Sequence, residues 1–567
     1  MFHQLLTAQA FRLKHCVRLT CLLHDYVVSG SLLSIQILAL NTSYLCEMWT
    51  KGLPPFEKRT LARLAIFYRA LNLLLVQTWF VPDEYWQTLE PAHRLTFGYG
   101  YLTWEWQEGL RSYSYPCVFA ALYKILYLLG QDTPFFMVNV PKAACCILAC
   151  FADQRLYALA SQLFDQTTAC WTILVYYSNW FQFFCAPRTL LNTVESALVV
   201  ISSSYLFELS KSRLPGQAGP FKAIPYNHIS CRTVKLYLAV TLSTWTVLIR
   251  PTSILLLVPI WLRCVQLSSI PRLVAIARTG MLVTAFAALI DRLCYGRWTF
   301  PLWNFVQFNL IKGGSALFGS HPWHWYVTCG VPSVFLFHII VIMAGIWKSK
   351  QNRFFFFYIC TLYVLVHSLI AHKEIRFLLP TVPLLSIYAG YFLAKHAENA
   401  FKTTKSKWLF GLLVLPNVLL ALFTGQIHQR GVMDVTSFLS KEAQTKTMEI
   451  WYLMPCHSTP FYSHVHAPVR MRFLTCMPEN LSQLDYVDES DDFHRDPSMW
   501  LERELSITER RPTHIVIYAK TASLVANVFR KEKYSLVRRF FNTYFPQGDR
   551  QSREIEVYEQ ITSPNRT

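Results

Sequence analysis

The chain has 567 residues, of which 53% are hydrophobic and 15% are charged, and it carries a formal net charge of +19. Soluble domains average about 25% charged residues, so the composition excludes a row of ordinary soluble domains and indicates a membrane protein. Nucleic-acid binding is also disfavoured, because the basic residues lie in short links between apolar runs and no nucleic-acid-binding motif accompanies them. The sequence contains no Cys-x-x-Cys pair with zinc spacing, so we expect no metal site.

Residues 1–60 carry scattered basic residues and one weak apolar stretch, Val27–Leu40, and we interpret them as a variable extension, cytosolic or weakly anchored. From residue 61 to 427 apolar runs recur and predict an α-helical polytopic membrane protein with about 10 to 12 transmembrane helices. Several runs are short for a span, which predicts tilted or broken helices. The runs lie at 61–80, 115–130, 134–151, 168–184, 189–208, 236–249, 253–265, 275–291, 327–347, 354–371, 377–394 and 408–424.

The basic residues between the runs predict the orientation of the chain in the membrane. Lys348 and Lys350 follow one run, and Lys395 and Lys402 follow the next pair, so the positive-inside rule places these links in the cytosol. The segments predicted to face the opposite, lumenal side are 81–114, 292–326, 372–376 and the chain after 424.

Residues 428–567 are richer in charge than the rest of the chain. They contain two strand-like runs, Ile450–Met454 and His514–Tyr518, so we predict a small lumenal α/β domain. Asn480 begins an Asn-Leu-Ser glycosylation sequon and is predicted to be glycosylated. Cys456 and Cys476 could pair in an oxidising compartment or remain free thiols.

Two adjacent carboxylates, Asp83 and Glu84, follow Pro82 directly after the first strong apolar run. Carboxylates beside a membrane are costly unless water, a partner or a function keeps them. One of them could act as a general base toward an attacking hydroxyl group. An ordinary helix start would also place acidic residues after a proline, so the pair by itself leaves both interpretations open.

A second group of polar and aromatic residues follows in the same loop, at Trp104, Glu105, Arg111 and Tyr113. Such a composition suits a carbohydrate-binding surface, and it also suits an aromatic belt at the membrane surface.

His372, Lys373, Glu374 and Arg376 form a compact charged link between two apolar runs. Fixed cations there would stabilise a leaving phosphate more strongly in the transition state than in the ground state. Snorkelling of basic side chains at a helix end is the alternative. The positive-inside rule disfavours basic residues on a lumenal link, so their presence here favours a functional role.

His321, Trp323 and His324 lie in another predicted lumenal loop. Two histidines suggest a metal, but a third ligand is not evident, so we prefer substrate contacts or loop packing. Four polar residues are weaker candidates, because such residues are more often structural contacts than site residues: Arg188, Asn192 and Glu195 near a short predicted lumenal turn, and Arg250.

Together these motifs resemble glycosyltransferase family 22, the dolichyl-phosphate-mannose-dependent α-mannosyltransferases of the GT-C class. The residues that carry the resemblance are Pro82-Asp83-Glu84, His372–Leu378 and Gly319–Tyr326, and it covers about residues 61–470. The tracts Glu90–Pro116 and Leu453–Pro460 are similar to the members that add the third mannose in GPI-anchor assembly.

The resemblance implies a GT-C membrane enzyme of the endoplasmic reticulum with a lumenal active site. It implies an inverting α-1,2-mannosyl transfer from dolichyl phosphate mannose to a GPI-precursor glycolipid, with no metal or other cofactor. Alternatives are a sister mannosyltransferase that acts on a lipid-linked oligosaccharide or adds a fourth GPI mannose, a lipid or sugar transporter, and a non-catalytic scaffold.

The resemblance also implies roles for the candidate residues. Asp83 would be the catalytic base with Glu84 beside it, although a coupled pair of carboxylates could exchange these roles. The donor phosphate would be bound by His372, Lys373 and Arg376, with Glu374 orienting them. The acceptor sugars would be contacted by Trp104, Glu105, Arg111, Tyr113, His321, Trp323 and His324.

Overall fold

The computed structural model describes residues 57–211, 226–265, 270–314, 319–349, 353–400, 404–476 and 487–561. Phe56–Ala394 and Leu409–Thr567 form one compact unit, whereas Met1–Pro55 and Lys395–Trp408 belong to a second. The predicted extension at 1–60 lies almost wholly outside the described residues, and so does the predicted glycosylation site at Asn480.

The chain from Lys58 to Gln426 is built almost entirely of helices. In a bilayer only a helix or a closed barrel satisfies the backbone hydrogen bonds internally, so long apolar runs fold in this way. Each apolar run predicted as a span corresponds to a helix or to consecutive helical segments in the described parts. The α-helices are α1 Lys58–Leu75, α2 Glu90–Phe97, α3 Trp104–Gln107, α4 Pro116–Leu128, α5 Pro134–Leu163, α6 Gln166–Ser178, α7 Trp180–Cys185, α8 Leu191–Lys211, α9 Tyr226–Ile249, α10 Ile254–Val265, α11 Ile270–Tyr295, α12 Pro301–Val306, α13 Val331–Phe335, α14 His338–Lys348, α15 Phe355–Leu369, α16 Thr381–Ala400 and α17 Thr404–Gln426.

Two of the predicted spans are broken, although the sequence predicted broken helices only in general and not at these two places. The run 168–184 divides into α6 and α7 at Asn179, whose side chain accepts a hydrogen bond from the Gln182 amide and caps α7. The run 327–347 consists of Tyr326–Phe335 and His338–Lys348, which are bent by 101°.

The lengths and apolarity of the helices identify a membrane protein. By these criteria three described stretches are able to cross a bilayer, namely Pro134–Leu163, Ile270–Tyr295 and Gly411–Ala443, and the bent pair is a fourth candidate. Shorter apolar helices are Pro116–Leu128, Pro251–Cys264 and Phe355–Leu369. The total of 10 to 12 crossings stays a prediction.

Close packing at two glycines holds α16 in place. A Cβ at Gly390 on α16 would overlap Thr172 on α6, and a Cβ at Gly345 on α14 would overlap the Tyr388 carbonyl on α16. Small residues allow such close approach where helices cross in membranes. Because α16 is held between α6 and α14, the 3₁₀ segment Ile375–Leu378 that precedes it is held as well.

The C-terminal region contains the predicted small α/β fold. Its strands are β1 Glu449–Leu453, β2 Arg470–Phe473, β3 His514–Tyr518, β4 Tyr534–Phe541 and β5 Glu554–Gln560. They form one sheet in the order β2-β1-β3-β5-β4, with β1 parallel to β2 and β3, and β5 antiparallel to β3 and β4. The predicted strands correspond to β1 and β3, whereas the other three were not predicted. The helices are α18 Gly431–Ala443, α19 Tyr462–Val465, α20 Glu489–Arg495, α21 Pro497–Ile507, α22 Ala519–Leu524 and α23 Ala526–Lys531.

Alternation along β1 gives the sheet two buried faces. Ile450 and Tyr452 join the core that contains Trp86 of the loop 81–114, which we call the first loop. Trp451 and Leu453 point the other way, into a core with α20, α21, α22 and α23. The C-terminal region is therefore built directly onto the first loop, and its His464 and His457 pack against Tyr85 and Trp86, which follow Asp83 and Glu84 in the chain.

Candidate active site

The acidic pair and the cationic link, which are far apart in sequence, meet in space. Asp83 lies in a helical turn that begins at Pro82, where the Pro82 carbonyl accepts the amide hydrogen of Tyr85 at 2.9 Å. Arg376 lies in the 3₁₀ segment before α16. Its Nη1 is 2.5 Å from Asp83 Oδ2, and the side chains are 7% and 24% exposed, respectively. Asp83 is thus both ion-paired and open to solvent.

Glu374 organises the cationic link. Its carboxylate accepts hydrogen bonds from Arg376 Nε at 2.7 Å and from Arg376 Nη2, and it lies 2.8 Å from His372 Nε2. Burial opposes ionisation, but the Arg376 guanidinium and the His372 hydrogen bond hold the pKa of Glu374 down to about 2. In the same way the carboxylates of Asp83 and Glu374 raise the pKa of Arg376 despite its burial. Glu374 and Arg376 therefore keep their charges at any physiological pH.

Lys373 joins two loops. Its ammonium group donates to the backbone carbonyls of His321 at 2.9 Å and Ile370 at 2.6 Å, and the residue is buried. The His321 amide in turn donates to the Ala371 carbonyl at 3.0 Å. In this structure Lys373 holds the link against the loop that contains His321, and its role in phosphate binding stays a prediction.

His321, Trp323 and His324 lie on an exposed part of that loop. The His321 ring stacks on Trp325 at 4.9 Å, and Trp323 is 71% exposed. Among the described residues, the one group of three His, Cys, Asp or Glu side chains close enough to share a metal ion is Cys456, His457 and Cys476. Cys456 and Cys476 form a disulfide, so they offer no thiolate ligand.

The residues predicted to contact the acceptor have two different environments. Glu105 and Arg111 pair at 2.7 Å with side chains that are 14% and 18% exposed, and Gln87 donates to Glu105 at 3.1 Å. The Trp104 ring lies 5.3 Å from the Phe308 ring. These groups remain accessible to a ligand.

Tyr113, by contrast, is only 3% exposed and lies in the packing of the first loop. Its ring is 4.5 Å from Trp106, and its amide donates to Asp291 on α11 at 2.7 Å. In this structure the Tyr113 ring is packed inside the first loop, and its predicted contact with the acceptor stays a prediction.

Glu84 differs from its neighbour Asp83 in being wholly buried. It lies 2.8 Å from Arg188 Nη1, and the two side chains are 1% and 2% exposed. Arg188 also donates to the Thr78 carbonyl at 2.9 Å, and Thr189 donates to the Glu84 carbonyl at 2.9 Å. The pair ties the start of the first loop to the segment between α7 and α8, so its geometry is that of a structural anchor.

We expect Glu84→Ala to destabilise the protein by about 3 to 5 kcal/mol, because it leaves the buried Arg188 guanidinium without its carboxylate. The measurement is thermal unfolding in detergent. Glu108→Ala, which removes an exposed carboxylate from the same loop, is the matched control and should leave the melting temperature unchanged. A Glu84→Ala protein that melts like the wild type yet fails in turnover would assign Glu84 a chemical role instead.

Arg250 was predicted only as a weaker candidate, and His457 was not predicted as a site residue. The Arg250 guanidinium is 2.8 Å from Glu195 and 5.0 Å from the centre of the Phe377 ring, and Arg376 lies 5.4 Å from the same ring. His457, from the C-terminal region, has its ring centre 4.6 Å from that of Trp86, three residues after Asp83. Burial lowers the pKa of His457, and the Asp83 carboxylate acts in the opposite direction. The sequence signal for His457 was its place in the tract Leu453–Pro460, which carries part of the family resemblance.

Comparison with known proteins gives a consistent result. The sequence profile of the Alg9-like mannosyltransferase family matches residues 61–466. The chain is 38% identical to the GPI alpha-1,2-mannosyltransferase 3 of Bos taurus, over 89% of this chain and 90% of that protein. It is 34% identical to the GPI mannosyltransferase 3 of Yarrowia lipolytica, over 88% and 97%. The crystal structure of ArnT from Cupriavidus metallidurans bound to undecaprenyl phosphate superposes with a TM-score of 0.51 at 12% identity, over 89% of this chain and 98% of that one, which shows a shared GT-C fold.

Proposed function

The chain belongs to the Alg9-like mannosyltransferase family, and from that membership and the contact between Asp83 and Arg376 we propose that it adds the third mannose of the GPI anchor. The donor is dolichyl phosphate mannose, and the acceptor is a GPI precursor that carries two mannoses. The reaction is a single inverting displacement that forms an α-1,2 linkage. Transporter and scaffold functions have no comparable support.

Asp83 is the general base of the proposed reaction. Its carboxylate is the exposed member of the acidic pair, so a hydroxyl group of the acceptor is able to approach it. As the hydroxyl oxygen attacks the anomeric carbon of the donor mannose, its proton passes to Asp83 and the bond to the phosphate oxygen breaks. Glu84 is not available for this step, since it is buried against Arg188.

Arg376 connects the two substrates. Its guanidinium has several donors in a fixed plane, so it is suited to contact both a carboxylate and a phosphate oxygen. Glu374 fixes the plane of the guanidinium through two hydrogen bonds. Negative charge grows on the dolichyl phosphate as it leaves, and Arg376, with His372 and Lys373 beside it, stabilises that charge where it develops.

The proposal involves no metal ion and no cofactor. We expect transfer by the purified enzyme to continue unchanged in the presence of excess EDTA, because the cations of the link supply the charge stabilisation. Loss of transfer on chelation, with recovery when a divalent cation is added back, would contradict this expectation.

We place the enzyme in the endoplasmic reticulum with its site in the lumen. The positive-inside rule supports this orientation, because it places the basic residues Lys348, Lys350, Lys395 and Lys402 in the cytosol, on the opposite side of the membrane from the site. The Cys456–Cys476 disulfide supports it too, because disulfides persist in oxidising compartments. A glycosidase-sensitive shift in mobility that is lost in Asn480→Gln would support a lumenal C-terminal region, and protease access to that region in sealed, intact microsomes would contradict it.

The proposed acceptor is tested by transfer from radiolabelled dolichyl phosphate mannose to defined GPI precursors that carry one, two or three mannoses. The account predicts transfer only to the two-mannose acceptor, with a product sensitive to α-1,2-mannosidase. Transfer to the three-mannose acceptor would favour the fourth-mannose alternative, and transfer only to a lipid-linked oligosaccharide would favour the N-glycosylation relative. Cells without the enzyme should accumulate the two-mannose precursor.

A further inference from the structure

The C-terminal region packs against the helical turn that carries Asp83. Trp86, one helical turn after Asp83, donates its indole hydrogen to the Thr459 carbonyl at 3.0 Å. Its ring centre is 4.6 Å from that of His457 and 5.0 Å from that of Phe473. The turn that carries Asp83 is therefore fixed against the segment that follows β1.

His457 is presented by a constrained segment. Its φ angle is 57°, in the left-handed region that a residue with a Cβ seldom adopts. It directly follows Cys456, whose disulfide to Cys476 joins the end of β1 to the chain after β2. Unfavourable backbone conformations persist only where surrounding contacts enforce them, and they are frequent at functional sites. The disulfide and the packing on Trp86 are the constraints here.

The His457 ring has unused hydrogen-bonding capacity. Its Nδ1 lies 3.8 Å from Cys476 Sγ, a weak partner, and Nε2 makes no hydrogen bond with any residue that the structure describes. The side chain is partly exposed. Burial lowers the pKa of His457 to about 4, although the Asp83 carboxylate acts in the opposite direction. At neutral pH the imidazole is therefore uncharged, with one nitrogen as a donor and the other as an acceptor.

We propose that His457 is an acceptor-binding residue whose Nε2 forms a hydrogen bond with a sugar hydroxyl of the glycolipid acceptor, beside the hydroxyl that loses its proton to Asp83. The Cys456–Cys476 disulfide is the positioning device for this contact. The inference deepens the proposed function and rests on it, because it assigns a residue of the C-terminal region to the acceptor side of the same site.

Two variants separate hydrogen bonding from packing. His457→Phe keeps a ring against Trp86 and Phe473 but removes both nitrogens, and we expect the KM for the acceptor to rise about tenfold with the KM for the donor unchanged. His457→Asn keeps a hydrogen-bonding group, and asparagine tolerates the left-handed backbone, so it should recover part of the loss. His494→Phe, at another half-buried histidine of the C-terminal region, is the control and should leave both constants unchanged.

The disulfide gives an independent test. Replacing Cys456 and Cys476 together by serine should also raise the KM for the acceptor, because the segment that presents His457 is no longer tethered. A variant that only melts at a lower temperature, with an unchanged KM for the acceptor, would show that the disulfide has a purely structural role and would contradict the positioning claim.

The outcomes distinguish the two proposals. Absence of transfer by the wild-type enzyme to a two-mannose acceptor would overturn the proposed function itself. If the wild-type enzyme transfers mannose and His457→Phe retains its KM for the acceptor, or loses affinity for the donor instead, the proposed function stands and the assignment of His457 is wrong.

Discussion

Asp83→Asn should abolish measurable mannosyl transfer while leaving the protein folded. A positioned general base contributes about 10²- to 10⁴-fold to a rate, and the amide is unable to accept the proton of the acceptor hydroxyl. The substitution is nearly isosteric and the side chain is partly exposed, so the fold should tolerate the loss of one ion pair with Arg376. The measurement is kcat for transfer by purified protein, with the melting temperature recorded on the same preparation.

The neighbouring carboxylate is the internal comparison for this variant. Because Glu84 is buried against Arg188, its removal is expected to affect the melting temperature first. Opposite results for the two positions, with a stable inactive Asp83→Asn and an unstable Glu84→Ala, would assign the chemistry to Asp83. Near-normal activity of Asp83→Asn would remove Asp83 from the role of base.

Arg376→Gln should lower kcat by about 10²- to 10³-fold, the cost of losing one preorganised donor to a developing anion. It also leaves two carboxylates, Asp83 and Glu374, without the guanidinium that both contact. Arg376→Lys should recover little, because an ammonium group is a single point charge and does not bridge two acidic groups and a phosphate in one plane. The assay is single-turnover transfer at saturating donor.

A surface arginine provides the control for Arg376. Arg430 is 44% exposed and pairs with Asp434 one helical turn away, so Arg430→Gln should leave kcat and the melting temperature unchanged. An Arg376→Gln enzyme with wild-type kcat and a raised KM for the donor would show that Arg376 only binds the ground state, and it would contradict stabilisation of the leaving phosphate.

Much of the helical architecture follows from hydropathy alone, because in a bilayer an apolar run has few alternatives to a helix. Broken helices were predicted in general, but the breaks at Asn179 and at residues 336–337 were not located, because the local sequence does not specify where a helix bends. In the C-terminal region β1 and β3 were found because they are continuous apolar runs. Strand β4 was missed because most of its side chains are exposed and charged residues interrupt its pattern.

The candidate site was also predicted only in part from the sequence. Residue chemistry indicated the acidic pair and the cationic link, and the predicted topology placed both on one side of the membrane. The difference in burial between Asp83 and Glu84 could not be predicted from two adjacent acidic residues. It depends on Arg188, which is distant in sequence and forms an ion pair with Glu84. The environments of Tyr113 and His457 were also not predictable from the sequence, because contacts that only the fold determines decide whether an aromatic residue in a loop is buried or exposed.

The account depends on Asp83 and Arg376 lining one site, and cross-linking measures this directly. In a purified Asp83→Cys/Arg376→Cys enzyme, a short bismaleimide should join the peptides that contain residues 83 and 376, and mass spectrometry should detect the joined species in the double variant but in neither single variant. Labelling of both cysteines by a monofunctional maleimide without any joined species, or labelling from opposite sides of sealed microsomes, would contradict the site described here.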